Sequence, residues 1–230
     1  MDEDLEIPLA GGWATEGVVR VGQTVRRPRG ANADFVEQLL GHLERVGFNA
    51  APRHLGVDEQ GRDILEYFDG QVPTDCAGIT WSDEQLSGAM ALLRRFHDAT
   101  AGSDLAAGEE VVCHGDFGPW NLIWVGDGPV SIIDFDNATP GRRLDDVGYA
   151  VWKHLNLGLL PLGASEQARR IRVATAAYGI EAGTDMVAAV DRAQQQMEDS
   201  YPSLVQLRKE RAWLLANAAA LHGRLPRPPP

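Results

Sequence analysis

Cysteine is scarce: the 230-residue chain holds two, Cys76 and Cys113. Two thiols make no disulfide framework, and Cys113 lies in an apolar run, so reduced thiols and a cytoplasmic setting are expected. Positive charge is also in deficit. Twenty-one Lys and Arg stand against 33 Asp and Glu, a net charge of −12. That balance argues against a nucleic-acid or anionic-membrane partner, because both need a basic footprint, and it suits a cationic small molecule. No apolar run reaches the roughly 18 residues of a membrane span. The start, Met1-Asp2-Glu3-Asp4, lacks the basic and apolar regions of a secretory signal. There is no internal repeat. What is present, 44% hydrophobic and 23% charged residues, is the composition of an ordinary globular protein. A chain of this length can bury roughly 70% of its unfolded surface.

Chemistry concentrates between Val111 and Asp136. The centre reads His114-Gly115-Asp116-Phe117-Gly118-Pro119-Trp120-Asn121, and Leu122–Val125 and Val130–Ile133 flank a Gly/Asp/Pro turn. Two short β-type runs around such a turn predict a hairpin. With residues 126–129 as the loop, Val125 faces Val130 and Asn121 faces Asp134. Opposed residues lie roughly 4.5–5.5 Å apart, so an amide oxygen and a carboxylate converge beside Asp116. Hard oxygen ligands with room for water and phosphate are what Mg²⁺ prefers. Asp136, two residues on, shares the side of Asp134 on an extended chain and adds a ligand or a supporting contact.

Elsewhere the pattern is coarser. Residues 5–30 read as short strands around a glycine-bearing loop at Gly11-Gly12, followed by four arginines without an acid between Gly17 and Ala33. Open backbone N–H groups and guanidinium groups both hold phosphate, although a plain hairpin with exposed arginines is the favoured reading of this stretch taken alone. Asn32 or Asp34 can cap a helix running to Val46. Strands are expected at 52–57 and 62–68, a Pro/Gly-bearing boundary at 71–80, and a helix headed by Ser82 with Glu84-Gln85 in its first turn. Residues 137–143 read as a loop. Helices follow from Leu144, Ser165, Thr184 and Ser203, the last three headed by those residues, and Leu225–Pro230 reads as a polyproline-like tail. The division is thus 1–70, 71–223 and a tail at 224–230.

His114-x-Asp116-x-x-x-x-Asn121, then a strand pair and Asp134-Phe135-Asp136, resembles the core of the protein-kinase-like phosphotransferases. Gly115 and the Asp-Phe-Asp ending place the resemblance in the small-molecule branch, the aminoglycoside phosphotransferase family. It is strong from Cys113 to Asp146 and ordered but weak before that. The resemblance implies a two-lobed α+β fold, with an antiparallel-sheet lobe bearing one helix and a mainly helical second lobe. It implies an enzyme that moves the γ-phosphoryl of ATP or GTP to a hydroxyl of a small molecule, an aminoglycoside as first guess, with Mg²⁺ required. Asp116 takes the role of the base that aims the acceptor hydroxyl, and His114 orients the backbone near Asp134. Asn121 and Asp134 hold metal. Arg27, with Arg26 as alternative, holds phosphates from the third strand, and a helix acid, Glu37 in preference to Glu44, pairs with it. Gly12 belongs to the phosphate loop, and Glu66-Tyr67-Phe68 to the connector whose backbone holds adenine. Asp146 braces the catalytic loop. Two rivals remain: a nucleotide-binding module without turnover, and a metal-dependent hydrolase, which the shortage of further His ligands disfavours.

Overall fold

The computed structural model describes residues 5–9, 17–180 and 184–222. Gly12 and the tail at 224–230 lie outside these. Five strands, β1 (Ile7–Pro8), β2 (Val19–Val21), β3 (Thr24–Pro28), β4 (His54–Val57) and β5 (Arg62–Glu66), form one antiparallel sheet in the order β1-β2-β3-β5-β4. Helix α1 (Ala33–Arg45) packs beside it, burying Val36, Leu39, Leu40 and Leu43, a stripe at helical spacing. This is the sheet lobe with a single helix that the resemblance implies.

The second lobe is mainly helical. Helix α2 (Asp83–Thr100) begins with the capping box expected at Ser82 and Gln85. Two ribbons follow, β6 (Val111–Cys113) with β9 (Thr139–Gly141), and β7 (Leu122–Val125) with β8 (Gly128–Ile132). Then come α3 (Arg143–Leu155), α4 (Ala164–Tyr178), α5 (Met186–Ser200), α6 (Val205–Ala216) and α7 (Ala218–Leu221). Helix α4 packs along α2, and α5 along α3. None of the described helices is long and apolar enough to cross a membrane.

Several local expectations are corrected. The hairpin turn is two residues, not four, and Val125 pairs with Gly128 rather than Val130. Pro129 brings no N–H to the ladder, and Val130 is left over as an exposed bulge residue opposite no partner. At the open end Asn121 O therefore accepts from Ile133 N at 2.9 Å, so Asn121 stands opposite Ile133 and not Asp134. Residues 139–141 form a strand within the expected loop because β6 needs a partner. Asn32 stands at the N-cap of α1 but its side chain makes no capping bond. It reaches across the cleft instead, Nδ2 donating to Asp136 O and Ala138 O, both at 3.0 Å. Gly163, Asp185 and Leu204 occupy the N-caps expected for Ser165, Thr184 and Ser203, and Asn217 breaks the last helix in two.

Helix α3 carries the functional face of this lobe, and its distance from α5 is set by one glycine. A Cβ on Gly148 would lie 2.7 Å from the backbone of Ala189. Gly148→Val is expected to force the helices apart at a cost of roughly 1–3 kcal/mol, read as a Tm lower by about 2–12 °C in a thermal melt.

Candidate active site

The loop from His114 to Asn121 is held from beneath by Asp146 in the first turn of α3. Asp146 Oδ2 accepts from His114 N at 2.7 Å and from His97 Nε2 at 2.9 Å, and Oδ1 accepts from Gly115 N at 3.0 Å. Burial alone would raise this carboxyl, but the His97 bond and charge, with the loop N–H groups, hold it below the usual carboxylate range. Gly115 has φ +79°, and Asn137 O occupies the place a Cβ would take, so the sharp turn before Asp116 needs glycine. His97, Cys113 and Asp146 have the spacing of a metal trio. The carboxylate already accepts from three donors, and Cys113 Sγ turns to Arg142 O at 3.4 Å, so the trio is a brace.

His114 is fully buried under the loop. Asp116 N donates to its Nδ1 at 3.3 Å, which leaves Nε2 to carry the proton and donate to Ile133 O at 3.0 Å. The ring thereby joins the Asp116 turn to the residue preceding Asp134. Phe135 is sunk in the core against the Phe96 and His114 rings, and Asp134 takes a left-handed backbone, φ 64° and ψ 65°. That conformation is costly for a non-glycine residue, by about 1–3 kcal/mol, and it turns the chain so that Asp134 lines the cleft.

The Asp116 carboxylate is fixed from two sides. Asn121 Nδ2 donates to Oδ2 and to the backbone oxygen of Asp116, both at 2.9 Å, and Trp120 Nε1 donates to Oδ2 at 3.4 Å. Tyr149 OH donates to Oδ1 at 2.5 Å. Burial, reinforced by the Asp116 charge, keeps the Tyr149 phenol well above its ordinary value, so it remains a donor. With its nitrogen facing two Asp116 oxygens, Asn121 keeps its amide oxygen without a donor among the described residues. A hard neutral oxygen and the Asp134 carboxylate are a donor set that fits Mg²⁺.

Arg27 reaches this group from β3. Its Nη2 donates to Asp134 Oδ1 at 2.8 Å and to Asp136 Oδ2 at 2.5 Å. Asp136 does not line the cleft; of the two roles expected for it, ligand or supporting contact, its pairing with Arg27 corresponds to the second. Burial, then the neighbouring Asp134 charge, push the Asp136 carboxyl up while Arg27 opposes them. Glu37 is corrected as well: it accepts from Arg29 Nη2 at 3.2 Å, because Arg29, beyond the end of β3, lies nearer to α1. Arg26 alternates to the other face of the strand, bonded to Thr24 Oγ1 and 3.8 Å from Asp58.

Arg27, Asp116, Asn121 and Asp134 share one cavity of about 980 Å³ with Glu66, Tyr67 and Phe68 of the connector. The N–H groups of Glu66 and Tyr67 are taken by Arg53 O and Gln23 O. Among the described residues the Phe68 N–H has no partner. Tyr149, Trp120 and Lys153, which also face Asp116 or the cavity, went unnoticed in the sequence. A signal existed for two of them. Asp146, Tyr149 and Lys153 are spaced i, i+3, i+7, one helical face, and the first of them points at the loop.

A model of the phosphotransferase enzyme family matches residues 60–189, more than half of the chain. The chain belongs to that family. It is 36% identical over 168 residues to the trifolitoxin immunity protein of Rhizobium leguminosarum bv. trifolii, a match spanning 66% of this chain and 63% of that protein's length. Among solved structures it resembles the gentamicin complex of APH(2")-IIa (TM-score 0.56, 14% identity, 96% of this chain and 92% of that one). It also resembles a GDP complex of an aminoglycoside 2'-phosphotransferase IIIa variant (0.57, 13%, 97% and 92%). A third is spectinomycin phosphotransferase APH(9)-Ia with ADP and spectinomycin (0.53, 10%, 90% and 89%). At such identities these likenesses establish the two-lobed fold of the family.

The Asp146 brace gives a direct test. A carboxyl held low in the fold stabilises it fully above its unfolded value, near 3.8, and the contribution is lost as pH falls through the folded value. Asp146→Asn is expected to cost roughly 2–4 kcal/mol at pH 7. Thermal melts should show a smaller further drop in Tm between pH 5 and pH 3 for the variant than for the parent protein.

Proposed function

We propose that the chain is a small-molecule kinase, moving the γ-phosphoryl of ATP or GTP to a hydroxyl of a small acceptor. The observation that carries this reading is the convergence, in one cavity, of a carboxylate fixed by three donors with an amide, an acid and a guanidinium. Phosphoryl transfer needs positioning and charge neutralisation more than covalent chemistry.

Asp116 is the residue that takes the acceptor's proton and aims its oxygen. Its rotamer is set before substrate arrives, since Asn121 and Tyr149 each grip one oxygen. Asn121 and Asp134 are the residues that would hold Mg²⁺, which when bound would neutralise the nucleotide phosphates. Arg27 turns its guanidinium to those phosphates. Phe68 N–H is the connector donor that a purine edge would accept, and Val25 and Leu65 line the same cavity as apolar walls. Solved relatives of the same fold bind ADP or GDP, which supports a purine nucleotide as phosphoryl donor. The Rhizobium relative is an immunity protein, and an acceptor that loses toxicity on gaining a phosphate is consistent with that name. The preset grip on Asp116 favours turnover over a binding-only module.

Asp116→Asn separates the two readings. In a thermal-shift assay it should keep the Tm rise given by Mg-ATP or Mg-GTP within about 1–2 °C of the parent protein's. ADP release in the presence of an acceptor should fall by roughly 10²–10⁴. Full transfer by the variant would remove Asp116 from its role, and a Tm indifferent to nucleotide with or without Mg²⁺ would remove the kinase reading itself.

A further inference from the structure

Beyond Asp116, away from Arg27, the cavity wall carries a cation that the reaction as drawn does not use. The chain contains two lysines among its 21 cationic residues, and one of them, Lys153, lies here. Its Nζ is 3.4 Å from the centroid of the Trp152 ring, 5.5 Å from that of Tyr149 and 5.9 Å from that of Trp120. Two of those rings, Tyr149 and Trp120, are the ones bonded to Asp116. Lys153 makes no hydrogen bond and no ion pair with any described residue. Glu210, whose charge it feels, is engaged by Trp152 Nε1 at 2.8 Å.

Three aromatic faces steady an ammonium, but they do not replace a counter-ion. Burial lowers the Lys153 pKa to about 8 against the opposing charges of Glu210 and Asp116, which shows how much solvation the group has given up. A ligand anion reaching Nζ would restore it. A ligand ammonium in the same place would set two like charges a few ångströms apart in a poorly solvated pocket. Nor is the nucleotide the natural source of that anion. Arg27, Asn121 and Asp134 serve the phosphates, with Asn121 on Oδ2 of Asp116, whereas Tyr149, one helical turn before Lys153, grips Oδ1.

We propose that Lys153 recognises the acceptor by an anionic group, in the simplest case a carboxylate, beside the hydroxyl that Asp116 aims, so that the acceptors are small hydroxy acids and not polyamines. The inference rests on the kinase reading above and narrows it. It departs from the cationic acceptor that the net charge of the chain suggested, because the charge that matters is the one exposed at the acceptor end.

The test uses the full chain with Mg-ATP and three sets of probe acceptors at equal concentration. These are hydroxy acids such as glycerate, lactate and quinate; neutral polyols such as glycerol and inositol; and polyamines such as kanamycin and spectinomycin. ADP release is expected chiefly with the hydroxy acids. Lys153→Met should raise the acceptor KM about 10- to 100-fold, the loss of one charge-assisted contact. It should leave kcat within about threefold and the ATP KM unchanged, and Lys153→Arg should recover part of the loss. Preference for polyamines, an unchanged acceptor KM in Lys153→Met, or a fall in kcat alone would overturn the assignment, the last by moving Lys153 to the transferring phosphoryl group. No release from any hydroxy acid, with the Mg-ATP thermal shift intact, would also overturn it while leaving the kinase reading standing. Loss of the thermal shift in the parent protein would remove that reading first.

Discussion

A single buried carboxylate organises this molecule. Asp146 gives up its hydration entirely and recovers it from an imidazole and two consecutive loop N–H groups. Such a group is favourable only when every lone pair has a partner, and that requirement fixes the loop and helix α3 relative to one another. His97 is fixed in turn by Tyr178 OH at 2.6 Å, which ties the brace to α4. Once the first turn of α3 is anchored in this way, helical spacing delivers Tyr149 to Asp116 and Lys153 to the cavity wall beside it. The brace therefore sets the Asp116 carboxylate, its phenol donor and the nearby ammonium together.

The second constraint crosses the cleft. Arg27 of the sheet lobe lies against Asp134 and Asp136, 107 and 109 residues away. Asn32, at the head of α1, donates to two carbonyls of the segment that follows. The acid that partners the strand arginine is thus supplied by the second acid of Asp134-Phe135-Asp136 and not by the helix. With Glu37 engaged by Arg29, the sheet lobe keeps a separate ion-pair cluster with Asp34 and Asp63 outside the cleft.

What the sequence made legible was local. Asp116, Asn121 and Asp134 share one short stretch whose spacing and turn chemistry nearly determine their neighbourhood, and the lobes could be drawn from alternation, helical stripes and Pro/Gly punctuation. Three kinds of detail escaped. Register escaped because Pro129 shifts the ladder by a bulge that a count of residues does not reveal. Long-range pairing escaped because Arg27 can choose among several acids and only the folded cleft brings Asp136 closest. Helix starts slipped by one or two residues because Ser165, Thr184 and Ser203 cap well in isolation, while the packing of each helix selects a neighbouring turn. Tyr149 and Lys153 were different, being readable from the Asp146 spacing once its role was granted.

The apolar interior gives the lobes a relation that their outlines hide. Leu39, Leu40, Leu43 and Phe48, all from the first seventy residues, belong to the same continuous cluster as Phe96, Phe135 and Trp152, and the Phe48 and Phe96 rings lie 6.1 Å apart. The cleft is therefore a surface groove over shared foundations, not a seam between bodies that fold separately. Helix α1 thus serves both halves, packed against β4 on one side and against the Phe135–Asn137 turn on the other.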